Sequence, residues 1–134
     1  MTLAQFGQYN FMRCVKRKDF FSARYAETKF CADAVSMVFL LNKKYTPFFK
    51  WMHRALADLP IMGKWFHGKI QQMVDALDYD EKADLIEQMS SMIVSELNAQ
   101  NLSDSNSPFL LDHGPLVQQK INDEDLRKRN VWVG

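Results

Sequence analysis

Apolar positions recur at helical spacing through most of the first hundred residues. Phe20, Ala23, Phe30, Ala34, Met37, Val38 and Leu41 share one face and predict a helix over residues 19–44, with Asp19 as its N-cap. Within it, residues 30–41 are apolar on nearly every side, so this helix is expected to be surrounded by the others at the centre of the core. The 12-residue run contains Asp33 and is too short and too polar to span a bilayer. Ser22, Lys29, Asp33 and Ser36 fall on one narrow stripe that reads as a partly solvated seam with a Lys29/Asp33 i,i+4 pair.

Thr46-Pro47, an N-cap followed by proline at the first helical position, predicts a second helix over residues 46–58. Its apolar face is Phe48, Trp51, Met52, Ala55, Leu56 and Leu59. Pro60 and Gly63 break the chain before a third helix over residues 64–77, which is expected to bury Phe66, Ile70, Met73, Val74 and Leu77. Asp78, with Glu81 three positions on, resembles a capping box and opens a fourth helix to about Gln100, burying Leu85 or Ile86, Met89, Ile93 and Leu97. Residues 101–114 read as a polar loop around the apolar Phe109-Leu110-Leu111. Gly114-Pro115 opens a short helix through Ile121, and Asn122 caps a last turn through Arg129. No segment alternates with period two for long enough to form a strand. The fold class is therefore all-α: one domain of 134 residues, a bundle of four main helices with short C-terminal helical additions, preceded by an N-terminal arm of residues 1–18.

A chain of 15.7 kDa fits one domain and is too short for a catalytic domain plus a separate substrate domain. With 47% hydrophobic and 25% charged residues it is neither disordered nor collagen-like. Two cysteines, Cys14 and Cys31, cannot make a disulfide framework, and eight methionines with no signal peptide point to a reducing, cytoplasmic setting and to no membrane. The net charge of +1 conceals a polarity. Residues 1–54 carry ten basic and three acidic side chains, a net +7, and residues 55–134 carry seven basic and thirteen acidic, a net −6.

Candidate chemistry is sparse. His53, His67 and His113 have no i,i+3 or i,i+4 histidine partner, and there is no H-E-x-x-H or C-x-x-C, so no preformed zinc site is expected. Glycine-rich phosphate cradles and a nucleophile elbow are absent, and no cofactor is implied. Cys14 has basic neighbours but no convincing base. Asp112-His113 could serve as an acid/base pair or as a loop cap before Gly114-Pro115. The basic residues offer more. Arg13, Lys16, Arg17 and Lys18 precede the first long helix, Lys43 and Lys44 end it, and Lys50 and Arg54 are i,i+4 on the second with His53 beside them. A hairpin of those two helices would gather Lys43, Lys44, Lys50 and Arg54 around Tyr45, as an anion-attracting patch or as a solvated basic face. Tyr9-Asn10-Phe11 could orient a base or sugar, or staple the N-terminal segment onto the core.

Gly7-Gln8-Tyr9-Asn10, Arg13, Lys16-Arg17, Val38-Phe39-Leu40-Leu41-Asn42, Tyr45-Thr46-Pro47-Phe48-Phe49-Lys50-Trp51 and Leu102-Ser103-Asp104 together resemble a bacterial family, domain of unknown function 4037, over residues 7–127. The resemblance implies a helical domain of the kind found behind a nucleotidyltransferase-like domain, similar in concept to the helical halves of antibiotic nucleotidyltransferases. A transferase half itself would need a Gly-Ser turn followed by paired carboxylates to hold catalytic metal ions, and no Gly-Ser dipeptide occurs in the chain. The expected function is that of a non-catalytic, substrate-facing or lid domain. Arg13, Arg17, Lys50 and Arg54 would hold phosphate or another anion, and Tyr9, Asn10 and Tyr45 would position the rest. Its partners would be a nucleotide or other anionic small molecule, a nucleotidyltransferase-like domain and a second copy of the chain. The alternative is a helical interaction or dimerisation module without a small-molecule ligand.

Overall fold

A computed structural model describes residues 5–102. They form a π-helical turn (Gln5–Asn10) that runs directly into α1 (Phe11–Lys16), followed by α2 (Phe20–Leu41), α3 (Phe49–Leu56), α4 (Gly63–Asp75) and α5 (Tyr79–Ala99). No strand occurs among the described residues, so the all-α class holds. The four main helices are α2 to α5. The expected loop beyond Leu102 and the C-terminal helical additions through Arg129 lie outside the described residues.

α2 takes the central place its composition predicts. It packs against the π-helical turn, α1, α3, α4 and α5 and buries Ala23, Ala26, Phe30, Ala34, Val35, Val38, Phe39 and Leu41. Its N-terminus is capped by Asp19, whose carboxylate accepts the Ser22 N–H at 3.1 Å. The helix stops three residues before the expected end because Lys43 turns into the left-handed region (φ 58°), where the Lys43 and Lys44 N–H groups bond back to Leu40 and Phe39. Asn42 then fixes the next connection. Its side-chain carbonyl accepts the Ile61 N–H at 2.9 Å, and its amide donates to the Ile61 carbonyl at 3.0 Å and to Val38 at 2.7 Å.

Residues 5–16, expected within an arm, are helical and contribute to the core. Phe11 is fully buried, and Gly7 lies flush on the Phe30 ring, where an added Cβ would come within 2.3 Å of a ring carbon. α3 begins at Phe49 rather than at Pro47, because Phe48 holds an extended conformation (φ −55°, ψ 146°) with no capping side chain. Its apolar face is correspondingly smaller than expected: Leu56 and the following Leu59 are buried, whereas Phe48 and Trp51 are 63% and 57% exposed. α4 buries Phe66, Ile70 and Met73 as predicted. It ends at Asp75, and the extended backbone of Ala76 turns that residue inward and leaves Leu77 exposed along with Val74. At its start Gly63 is required, since a Cβ there would meet the Leu56 carbonyl oxygen at 2.3 Å. α5 is capped by Asp78, which accepts the Asp80 N–H at 3.3 Å, and buries both Leu85 and Ile86 together with Met89, Ile93 and Leu97. Gln100 closes the bundle by donating to the Leu41 carbonyl at 3.0 Å.

Candidate functional site

The seven residues singled out from the sequence stand in two groups on different elements. Tyr9, Asn10, Arg13 and Arg17 belong to the π-helical turn, α1 and its C-cap, which pack on α2 and α5. Tyr45, Lys50 and Arg54 belong to the connection after α2 and to α3, which packs on α2 and α4.

In the first group the Arg13 guanidinium lies over the Tyr9 ring, 4.9 Å from its centroid. Asn10 faces a different space, a hollow of about 400 Å³ between α1 and the start of α2 that it lines with Phe6, Cys14, Phe21 and Tyr25. Phe6 and Tyr25 meet edge to face at 5.6 Å, and Phe21 is 82% exposed. Arg17 is exposed at the C-cap of α1, where its charge adds to the hydrogen bonds from Ser22 that hold the Asp19 carboxyl below its ordinary range.

The second group is built differently. No acidic residue occurs across residues 34–57, while Lys43, Lys44, Lys50 and Arg54 fall within that stretch and are all exposed. Ion pairs among the described residues are confined to Lys29–Asp33 at 3.0 Å and Lys82–Glu27 at 2.9 Å, so none of these four cations is neutralised there. Aromatic rings lie between them: Tyr45 is 94% exposed, Phe48 and Phe49 meet with centroids 4.6 Å apart, and the Arg54 guanidinium is 6.0 Å from the Trp51 ring centroid. Successive residues on an α-helix are about 100° apart, which puts Lys50, Trp51 and Arg54 on one side of α3, opposite the buried Leu56.

Two features emerge only from packing, and a third adds to the expected Lys29–Asp33 pair. Lys82 of α5 donates to both carboxylate oxygens of Glu27 on α2, at 3.0 and 2.9 Å, with both side chains buried. Nothing in the sequence pairs residues 55 positions apart; the available signal was a lysine on the α5 stripe that also carries Leu85, Ile86 and Met89. His53 and His67 stack with centroids 4.0 Å apart, and His53 Nε2 lies 3.2 Å from the His67 carbonyl oxygen. Their separation of 14 residues matches no motif, and only the α3/α4 hairpin brings them together. Finally, Lys29 engages one oxygen of Asp33 and leaves the other buried without a partner.

For bond-making chemistry the described residues offer little. They contain no group of three His, Cys, Asp or Glu that could hold a metal ion. The Cys31 thiol is pushed up to about 12, chiefly by burial and then by the Glu27 carboxylate, against the opposing Lys82 charge. It stays protonated and is no nucleophile. Asp112 and His113 lie outside the described residues. No described helix is long and apolar enough to cross a membrane.

The family comparison falls on the stretch that carries these features, since the model of a domain of unknown function, DUF4037, matches residues 1–52. The match takes in the π-helical turn, α1, α2 and the start of α3, and with them six of the seven residues; Arg54 lies just past its end. The resemblance expected as far as residue 127 thus stops at Met52, and the Leu102-Ser103-Asp104 segment falls outside the DUF4037 match. No curated protein and no solved structure matches the chain.

Proposed function

We propose that the chain is a non-catalytic helical accessory domain, the substrate-facing or lid part of a cytoplasmic nucleotidyltransferase-like protein, and that it holds a nucleotide or other anionic ligand on its basic face. The observation that carries this reading is the set of exposed cations, Lys43, Lys44, Lys50 and Arg54, without an ion-pair partner among the described residues, on an acid-free stretch that overlaps the DUF4037 match. A solvated cation without a counter-charge attracts anions over about a Debye length, and four together raise local anion concentration. Lys50 and Arg54 supply the charge and Tyr45 the ring that positions the ligand. Arg13 and Arg17 form a second, separate basic group.

The test is thermal unfolding with nucleoside triphosphates and magnesium. A ligand bound only by the folded chain raises Tm in proportion to the logarithm of its concentration above Kd. The wild-type protein is expected to show that rise and the Lys50→Glu variant to lose it; absence of any shift in either protein rejects the reading. The rival, a dimerisation module, draws support from the exposed Phe21 beside the hollow between α1 and α2. Light scattering separates the two readings, since a salt-sensitive dimer without ligand response belongs to the module.

A further inference from the structure

Anion attraction accounts for the cations on residues 43–54 but not for the rings among them. Tyr45, Phe48, Phe49 and Trp51 are 94%, 63%, 64% and 57% exposed within seven positions. Exposed rings next to exposed cations offer two complementary contacts, stacking for a flat apolar surface and charge for phosphate. The contacts are spread out. α3 rises about 7.5 Å from Phe49 to Arg54 at 1.5 Å per residue, and Tyr45 stands four positions ahead of it, so rings and cations alternate along residues 43–54. A ligand that engages each of these rings and cations repeats both its base and its phosphate. The arrangement also differs from that of a helix lying in a membrane surface, which separates an apolar side from a charged side. On α3 the Trp51 ring and the Lys50 and Arg54 charges share one side.

We propose that residues 43–54 form a stacking platform for single-stranded nucleic acid, the rings of Tyr45, Phe48 and Trp51 taking bases and Lys43, Lys44, Lys50 and Arg54 taking phosphates. This rests on the anion-binding reading of the same face and narrows it to a polymer. Sequence preference is weak, because every base presents a π-face and no buried polar group here reads base edges.

Fluorescence anisotropy of the full chain with labelled oligothymidylates of three to twelve nucleotides tests the platform, with thymidine triphosphate and phosphatidylserine vesicles as competitors. Affinity is expected to rise from the triphosphate to the longest oligomer. The logarithm of the binding constant should fall linearly with that of salt, with a slope of about −0.7 per engaged cation, and Lys50→Glu should flatten it by about one such step. Trp51→Ala should weaken the longest oligomer roughly 5- to 150-fold, while Trp51→Phe retains most of the affinity. Circular dichroism should show unchanged helix in both variants, because Trp51 is mostly outside the core. Triphosphate binding as tightly as the longest oligomer overturns the platform and leaves the anion site standing. Vesicle binding without oligomer binding overturns it in favour of a membrane surface. No binding to any probe overturns the platform and the anion site together.

Discussion

The lysine at position 82 and the lysine at position 50 carry the same charge under opposite conditions. Lys82 is 2% exposed at its side chain and is held by both oxygens of Glu27, which is itself 9% exposed. Lys50 is exposed on α3, with no carboxylate in sequence for sixteen residues before it and seven after it. Removing an ammonium group from water costs several kcal/mol, so Lys82 is compatible with the core only because Glu27 arrives with it. Lys50 keeps its water, and solvent screening makes its isolation nearly free. One charge therefore serves the fold and has nothing left to offer a ligand, and the other contributes little to the fold and remains available. The DUF4037 match contains Glu27 and Lys50 but not Lys82, so the matched segment completes its buried pair with a helix beyond its own end.

The largest effect that could break this contrast is at the buried pair. Lys82→Met leaves the Glu27 carboxylate buried without a counter-charge and is expected to cost about 3–5 kcal/mol in urea unfolding. The double variant Glu27→Leu, Lys82→Met removes both charges and should recover most of that loss. A single variant that loses under 1 kcal/mol would place Lys82 in the same class as Lys50 and dissolve the distinction.

A neutral counterpart sharpens it. Asn42 bonds both the N–H and the carbonyl of Ile61, and its replacement leaves those partly buried backbone groups unmatched. Asn42→Ala is expected to lose about 1–3 kcal/mol by the same urea measurement, less than the buried charge because no ion is stranded. A loss as large as that at Lys82 would show that the α3/α4 connection, not the ion pair, dominates the polar contribution to stability.

Cys31 reports on the pair from beside it. The thiol is held up to about 12 against an ordinary 9.0, by burial first and by the Glu27 charge second. The folded chain thus keeps a proton that the unfolded chain releases, and stability contributed by this group is complete below about pH 9 and falls as pH rises from there towards 12. Comparison of alkaline unfolding between the wild type and Cys31→Ala isolates that limb, which the variant should flatten. Equal slopes in the two proteins would mean that the thiol ionises as easily in the folded chain as in the unfolded one.

The elements were legible where local rules and burial agree. Asp19 and Asp78 cap the helices their positions suggest, and Phe30, Phe66, Met89 and Ile93 are buried on the faces their spacing predicts. Reading failed where a residue's local signal was stronger than its tertiary use. Thr46-Pro47 looks like a helix start, yet extended Phe48 postpones α3 to Phe49; Val74 and Leu77 extend an apolar period past the end of α4 and stay exposed. Sequence distance hid the rest. Glu27 and Lys82, and His53 and His67, meet across helices whose packing no spacing rule encodes. Among the site residues, the charge asymmetry of residues 1–54 pointed to the basic side chains. It could not separate Arg13, stacked on Tyr9, from Lys50 and Arg54 on another element.

The smallest expected effect tests the contrast from the other side. Charge reversal at an exposed position that touches no cap, cavity or ion pair changes stability by no more than about 0.5 kcal/mol in either direction. Lys50→Glu fits that description: its side chain makes no salt bridge among the described residues, and it lies on the side of α3 away from Leu56. Relief of like-charge repulsion with Lys43, Lys44 and Arg54 acts in the stabilising direction and is screened at physiological salt. The urea midpoint should therefore stay put, or rise slightly at low ionic strength, while anion-dependent changes in Tm disappear. A large loss of stability would mean that Lys50 has a structural partner in the folded chain, and its charge would then belong with Lys82, spent inside the fold and unavailable to a ligand.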